Sequence, residues 1–117
     1  MCRFIKRLVD TRHLDIEWTK TIKIAGINMH GFSVFDLGKF KGTAVAEPDN
    51  PYDPNAVAII RDDRKKLGYI PQHRAEKIAA KLAKFGGSVP CVGHVGMEKE
   101  YNSQRRFLMG YVQLLWK

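Results

Sequence analysis

The chain has 117 residues, of which 44% are hydrophobic, 10% aromatic and 27% charged, with a formal net charge of +8. That length fits a single core, so one site is expected to dominate; two cysteines, Cys2 and Cys91, exclude a disulfide framework and point to a reducing, cytoplasmic setting. No apolar run reaches membrane-spanning length and no apolar stretch follows the basic N-terminus, which predicts a soluble, unexported protein; the positive excess favours a polyanionic partner, either nucleic acid or an acidic membrane surface.

Residues 1–20 mix charges with isolated apolar side chains in no single period and are assigned as an extension without defined structure, ahead of a domain over 21–117. From Thr21 to Asn28 the pattern becomes β-like, with Ile22 and Ile24 on one face, and Gly42 to Glu47 predicts a second strand. Asn55 to Arg61 is almost continuously apolar, the signature of a strand buried on both faces. Asp62-Asp63 then marks a hairpin turn into Leu67-Gly68-Tyr69-Ile70.

Pro71 introduces the one clear helix, predicted from about Gln72 to Phe85, with Ala75, Ile78, Ala79, Leu82 and Phe85 at helical spacing. Its opposite face carries Arg74, Lys77, Lys81 and Lys84, and Gly86-Gly87 stops it. Two further strands are expected, Val89 to Val95 and Arg106 to Leu115, joined by a polar connection over Glu98 to Gln104; Phe107, Met109 and Tyr111 share one face of the last. Short strands with one intervening helix predict an α+β domain, a small, strongly bent antiparallel sheet or partly closed OB-like barrel with one main α-helix.

The segment Glu47-Pro48-Asp49-Asn50-Pro51-Tyr52-Asp53-Pro54-Asn55-Ala56-Val57 crowds rigid and hydrogen-bonding residues around one aromatic ring. Each proline fixes φ and removes a donor, and Asp and Asn side chains cap nearby backbone groups, so Tyr52 and Asp53 are presented with little entropy left to lose. Such a cluster is either a ligand holder or a structural turn. Arg61, Arg64, Lys65, Lys66, Arg74, Lys77, Lys81 and Lys84 make the following stretch basic against Asp62, Asp63 and Glu76.

Several chemistries fit poorly. Cys91 and His94 have half a zinc spacing but fall on opposite faces of a predicted strand, with no second ligand pair nearby. Asp49 and Asp53 resemble the start of a calcium loop, yet Pro51 holds the intermediate ligand position and Pro54 the turn-glycine position. His73 and Glu76 could pair as base and orienter, but a glutamate toward the N-terminus of a helix is accounted for by the macrodipole. No nucleophile elbow or phosphate loop is present, so neither an enzyme nor a cofactor is expected.

The combination of Ile24-Ala25-Gly26-Ile27, Glu47 to Ile59 and Leu67-Gly68-Tyr69-Ile70-Pro71 resembles the HIRAN domain, over roughly residues 20–117. The Asn-Pro-Tyr-Asp-x-Asn-Ala element is its most specific part. The resemblance implies an OB-related barrel that captures the 3′-hydroxyl end of single-stranded DNA in DNA repair settings such as fork reversal. It implies stacking of Tyr52 on a base, a hydrogen bond from the terminal hydroxyl to Asp53, and Asn50 as a supporting contact. Asn28, His30, Gln72, His73, Arg74 and Lys77 complete the implied surface. This chain has Asn28-Met29 where end-binding members have Arg-Tyr, a weaker partner wall, with His30 and Phe32 as the candidates to take over stacking.

A nucleic-acid-binding module for single-stranded DNA ends is therefore the leading expectation, working beside a helicase or nuclease partner. The alternative is a protein-interaction adaptor on the same barrel, and a third reading is a metal-dependent activity on nucleic acid.

Overall fold

The structure is a computed structural model that describes residues 16–17, 20–27, 33–99 and 106–116. Asn28 and His30, with Met29 and Phe32, lie outside the described residues, as do residues 1–15 of the extension. The strands are β1 (Ile22–Lys23), β2 (Gly38–Ala46), β3 (Val57–Arg61), β4 (Lys66–Tyr69), β5 (Ser88–Lys99) and β6 (Arg106–Leu114). Helix α1 (Gln72–Ala83) joins β4 to β5, and a 3-10 turn, Val34–Asp36, precedes β2.

Alternation along these strands sorts side chains to two surfaces. Phe40 and Ala44 of β2, Val57 and Ile59 of β3, Leu67 of β4, Val89, Cys91 and Val95 of β5, and Val112 and Leu114 of β6 form the core with Ile22, Ile24 and Ile27. Ile78 and Leu82 of α1 join them, so the helix covers one side of the same core. Val57, Ala58 and Ile59 are each 0% exposed, as the unbroken apolar run of β3 requires.

All six strands form one antiparallel sheet in the order β1-β6-β5-β2-β3-β4. The two edges meet: Ala25 N–H donates to Tyr69 O at 2.7 Å and Tyr69 N–H returns a bond to Ala25 O at 2.9 Å. This bridge makes the curled sheet a barrel that closes at one point. Gly68 permits the approach, because a Cβ there would lie 2.5 Å from Ala25 O and 2.6 Å from Ile24 Cγ2. The expected α+β, OB-like architecture is thus the one observed.

Some predicted boundaries move. The strand expected over Thr21 to Asn28 shrinks to Ile22–Lys23, since Gly26 at φ 74° turns the chain once Ala25 has made its bridge. β2 starts at Gly38 rather than Gly42, and β5 runs past Val95 to Lys99, because each finds a partner across the sheet: Gly38 to Val45 pair with β5, and Met97 to Lys99 pair with β6. Helix α1 ends at Ala83, and Phe85, expected on its buried face, is instead 36% exposed with its ring 5.5 Å from that of Trp116.

Candidate functional site

The β2–β3 connection is held in one conformation by its own hydrogen bonds. Glu47 N–H reaches Ala56 O at 2.8 Å across its base, and Asn50 N–H reaches Glu47 O at 3.0 Å. The Asn50 side chain organises the tip: Oδ1 accepts from Tyr52 N–H at 2.8 Å and from Asp53 N–H at 3.1 Å. Asp53 repeats the motif one step on, with Oδ1 accepting from Asn55 N–H at 2.8 Å and its carbonyl from Ala56 N–H at 3.0 Å. These side-chain turns account for the Asn and Asp content of the loop. Their product is Tyr52, 93% exposed at the tip of an immobilised loop.

Beneath the loop lies a polar cluster that links it to β4. Glu47 Oε1 accepts from Asn50 Nδ2 at 3.0 Å and from Tyr69 Oη at 2.9 Å, while Oε2 accepts from Lys66 Nζ at 3.0 Å. Lys66 Nζ also donates to Tyr69 Oη at 2.9 Å and sits 5.0 Å from that ring's centroid. Burial pushes the Glu47 carboxyl pKa up, but the bonds from Asn50, Lys66 and Tyr69 and the Lys66 charge outweigh it and hold it below the ordinary value. Lys66 is raised by its bonds to Tyr69 and Glu47, so both ends of the pair stay charged at neutral pH.

Loop and cluster border an open groove of about 960 Å³, lined by Ala25, Gly26, residues 46–53, Ala56, Lys66, Tyr69, Ile70 and Gln72. It accommodates a group the size of a nucleotide or a small ligand. Of the residues expected at the site, the structure brings Asn50, Tyr52, Asp53 and Gln72 together on its walls. His73, Arg74 and Lys77 are exposed on α1 but do not line it. Asn28 and His30 fall outside the described residues.

The roles of Glu47, Lys66 and Tyr69 are not legible in the sequence: Tyr69 belongs to the Leu67-Gly68-Tyr69-Ile70-Pro71 motif with no contact implied, and Lys66 reads only as surface charge. What joins them is the combined pairing of β2, β3 and β4, which brings Glu47, just past the end of β2, to side chains 19 and 22 residues away, a separation that carries no local signature. As for metals, Cys91 is buried in the core and His94 faces outward, and among the described residues no three or more His, Cys, Asp or Glu gather in a metal-holding group.

A rigid aromatic over a polar-floored groove, on a small closed barrel, defines a binding module. Residues 23–112 match the HIRAN domain, from the end of β1 to near the end of β6, and the chain belongs to that family of nucleic-acid-binding modules. No curated protein and no solved structure matches the chain.

Proposed function

We propose that this HIRAN domain binds the 3′-hydroxyl end of a single DNA strand, with the terminal base on Tyr52 and the terminal hydroxyl at Asp53. The observation that carries the reading is the fixed, nearly complete exposure of Tyr52 beside a groove that also presents Asp53. Stacking on an aromatic tolerates every base, which suits recognition of an end rather than a sequence. Asp53 uses Oδ1 for the Asn55 amide, and among the described residues no donor engages Oδ2. That oxygen accepts from a hydroxyl, whereas the same carboxylate repels a phosphate.

The remaining charge favours strand entry. Lys66 on the groove wall is tied to Glu47, so longer-range attraction falls to Arg74, Lys77 and the other exposed cations of α1. Fluorescence anisotropy with oligonucleotides ending in a 3′-hydroxyl or a 3′-phosphate tests the proposal. Tighter binding of the hydroxyl end is expected, and equal affinity for the two would refute end capture.

The adaptor reading draws on one observation, namely that Asn50 spends its carbonyl oxygen and an amide hydrogen inside the loop and has little left for a ligand. Absence of single-strand binding at low salt, with a reproducible protein partner in pull-downs, would select it.

A further inference from the structure

The convex side of the sheet carries an arrangement that the groove does not explain. Register places Lys23 of β1 opposite Tyr111 of β6, Tyr111 opposite His94 of β5, and His94 opposite Lys39 of β2. Each sits at an alternation position opposite to the core set, so the four side chains form one row across four adjacent strands on the outer face. Lys23 and Lys39 are exposed, and Tyr111 and His94 are half-buried between them. The next row repeats the charge, with exposed Lys41 beside Val92 and Gln113.

Acidic groups are sparse on the described part of this face. Glu98 is paired with Phe107 two rows beyond the Tyr111 row, and Glu17, whose N–H bonds Gln113 Oε1 at 2.8 Å, is ion-paired with Lys20 at 3.1 Å. Two flat rings flanked by cations on an extended sheet suit a phosphate backbone, with Lys23 and Lys39 taking phosphates and Tyr111 offering its ring to a base or sugar.

We infer that this outer face is a second nucleic-acid contact, which holds the backbone of the strand whose end occupies the Tyr52 groove. The inference rests on the nucleic-acid reading above. Lys39 lies near one end of β2, and the Tyr52 loop leaves the other end after Ala46. At about 3.3 Å per residue Lys39 is roughly 23 Å along the strand from the loop, whereas Lys23 lies two residues from Ala25 on the groove wall, so only a strand several nucleotides long can touch both the loop and the Lys39 end of the row. A trinucleotide, at about 3.4 Å per stacked nucleotide, spans only about 10 Å.

The test compares the full chain with a Lys39→Glu variant on a trinucleotide and on a 3′-hydroxyl strand of about twelve nucleotides, roughly 40 Å when stacked. Lys39 is exposed, and circular dichroism checks that the variant is folded. The expected result is affinity for the longer strand reduced several-fold, with a salt slope shallower by about 0.7, and unchanged affinity for the trinucleotide. Lys39→Arg should bind as the wild type does. Unchanged affinity for the longer strand overturns the inference, and so does an equal loss for both lengths, which would signify diffuse charge. Tyr52→Ala separates the two proposals: it should weaken both lengths, and if it weakens neither while the lysine variant weakens the longer strand, end capture fails and the outer contact stands. If the wild type binds neither strand, both proposals fall together.

Discussion

Tyr52 touches little of its own protein, so its value is in contact with a ligand rather than in stability. Tyr52→Ala should weaken oligonucleotide binding by about 1–3 kcal/mol while leaving the thermal midpoint in place, which titration calorimetry and a melting curve can check together. Asn50 is the converse case. Asn50→Ala removes the acceptor for two loop amides, at about 1 kcal/mol per bond, and should lower affinity although the aromatic ring remains. Asp53→Asn keeps an oxygen for the Asn55 amide and removes the charge, so the preference for a 3′-hydroxyl over a 3′-phosphate should narrow without loss of the fold. The presentation of Tyr52 and Asp53 by the loop was legible in sequence because proline and Asx turns are local devices. Asn50 was placed at the site but not as the keystone of its loop, since only coordinates show which amides its oxygen meets.

At the level of elements, local signals marked the centres of elements better than their ends. Pro71 and Gly86-Gly87 bracket α1 closely, whereas Glu98-Lys99 reads as the start of a polar connection and is strand only because Phe107 and Arg106 stand opposite. The β3–β4 hairpin shows another non-local device. Arg61 Nη1 meets Asp36 Oδ1 at 2.9 Å and its Nη2 meets Asp63 Oδ2 at 2.7 Å, tying the 3-10 turn to the hairpin. Asp36 is 10% exposed, so Arg61→Ala leaves a charged acceptor short of donors and should lower stability by about 1–3 kcal/mol in urea unfolding. Gly68→Ala forces β4 away from β1 and should lower it by a similar amount, roughly 1–3 kcal/mol, unless closure is lost outright.

For the molecule as a whole, the charge of +8 and the carboxylates that temper it define the pH response. Asp36 is raised by burial but lowered further by the Ser33 amide, by its bond to Arg61, and by the Arg61 and Lys65 charges; Asp63 is lowered chiefly by its bond to Arg61. With Glu47 they bind protons less readily folded than unfolded. The stability they contribute is complete above the ordinary values of 3.8 and 4.5 and is lost as pH falls through the depressed folded values, so acid titration should show cooperative destabilisation there. Cys91 acts at the other extreme. Burial, with the Asp62 charge as a lesser cause, pushes its thiol from the ordinary value of 9.0 up to about 12, so the unfolded chain ionises first and stability falls with pH between those two values. Folded protein should accordingly resist alkylation of Cys91 by iodoacetamide at neutral pH, and denatured protein should not.

Closure of the barrel depends on the reciprocal pair of bonds between Ala25 and Tyr69, and both residues also line the groove. Opening the barrel and emptying the groove are therefore coupled equilibria. A ligand that spans the seam between β1 and β4 clasps the two edges from outside and must slow their separation, so the Ala25 and Tyr69 amides should exchange with deuterium more slowly in the complex than alone, by a factor that grows with ligand concentration. The seam thereby becomes a reporter of occupancy that needs no label on the nucleic acid.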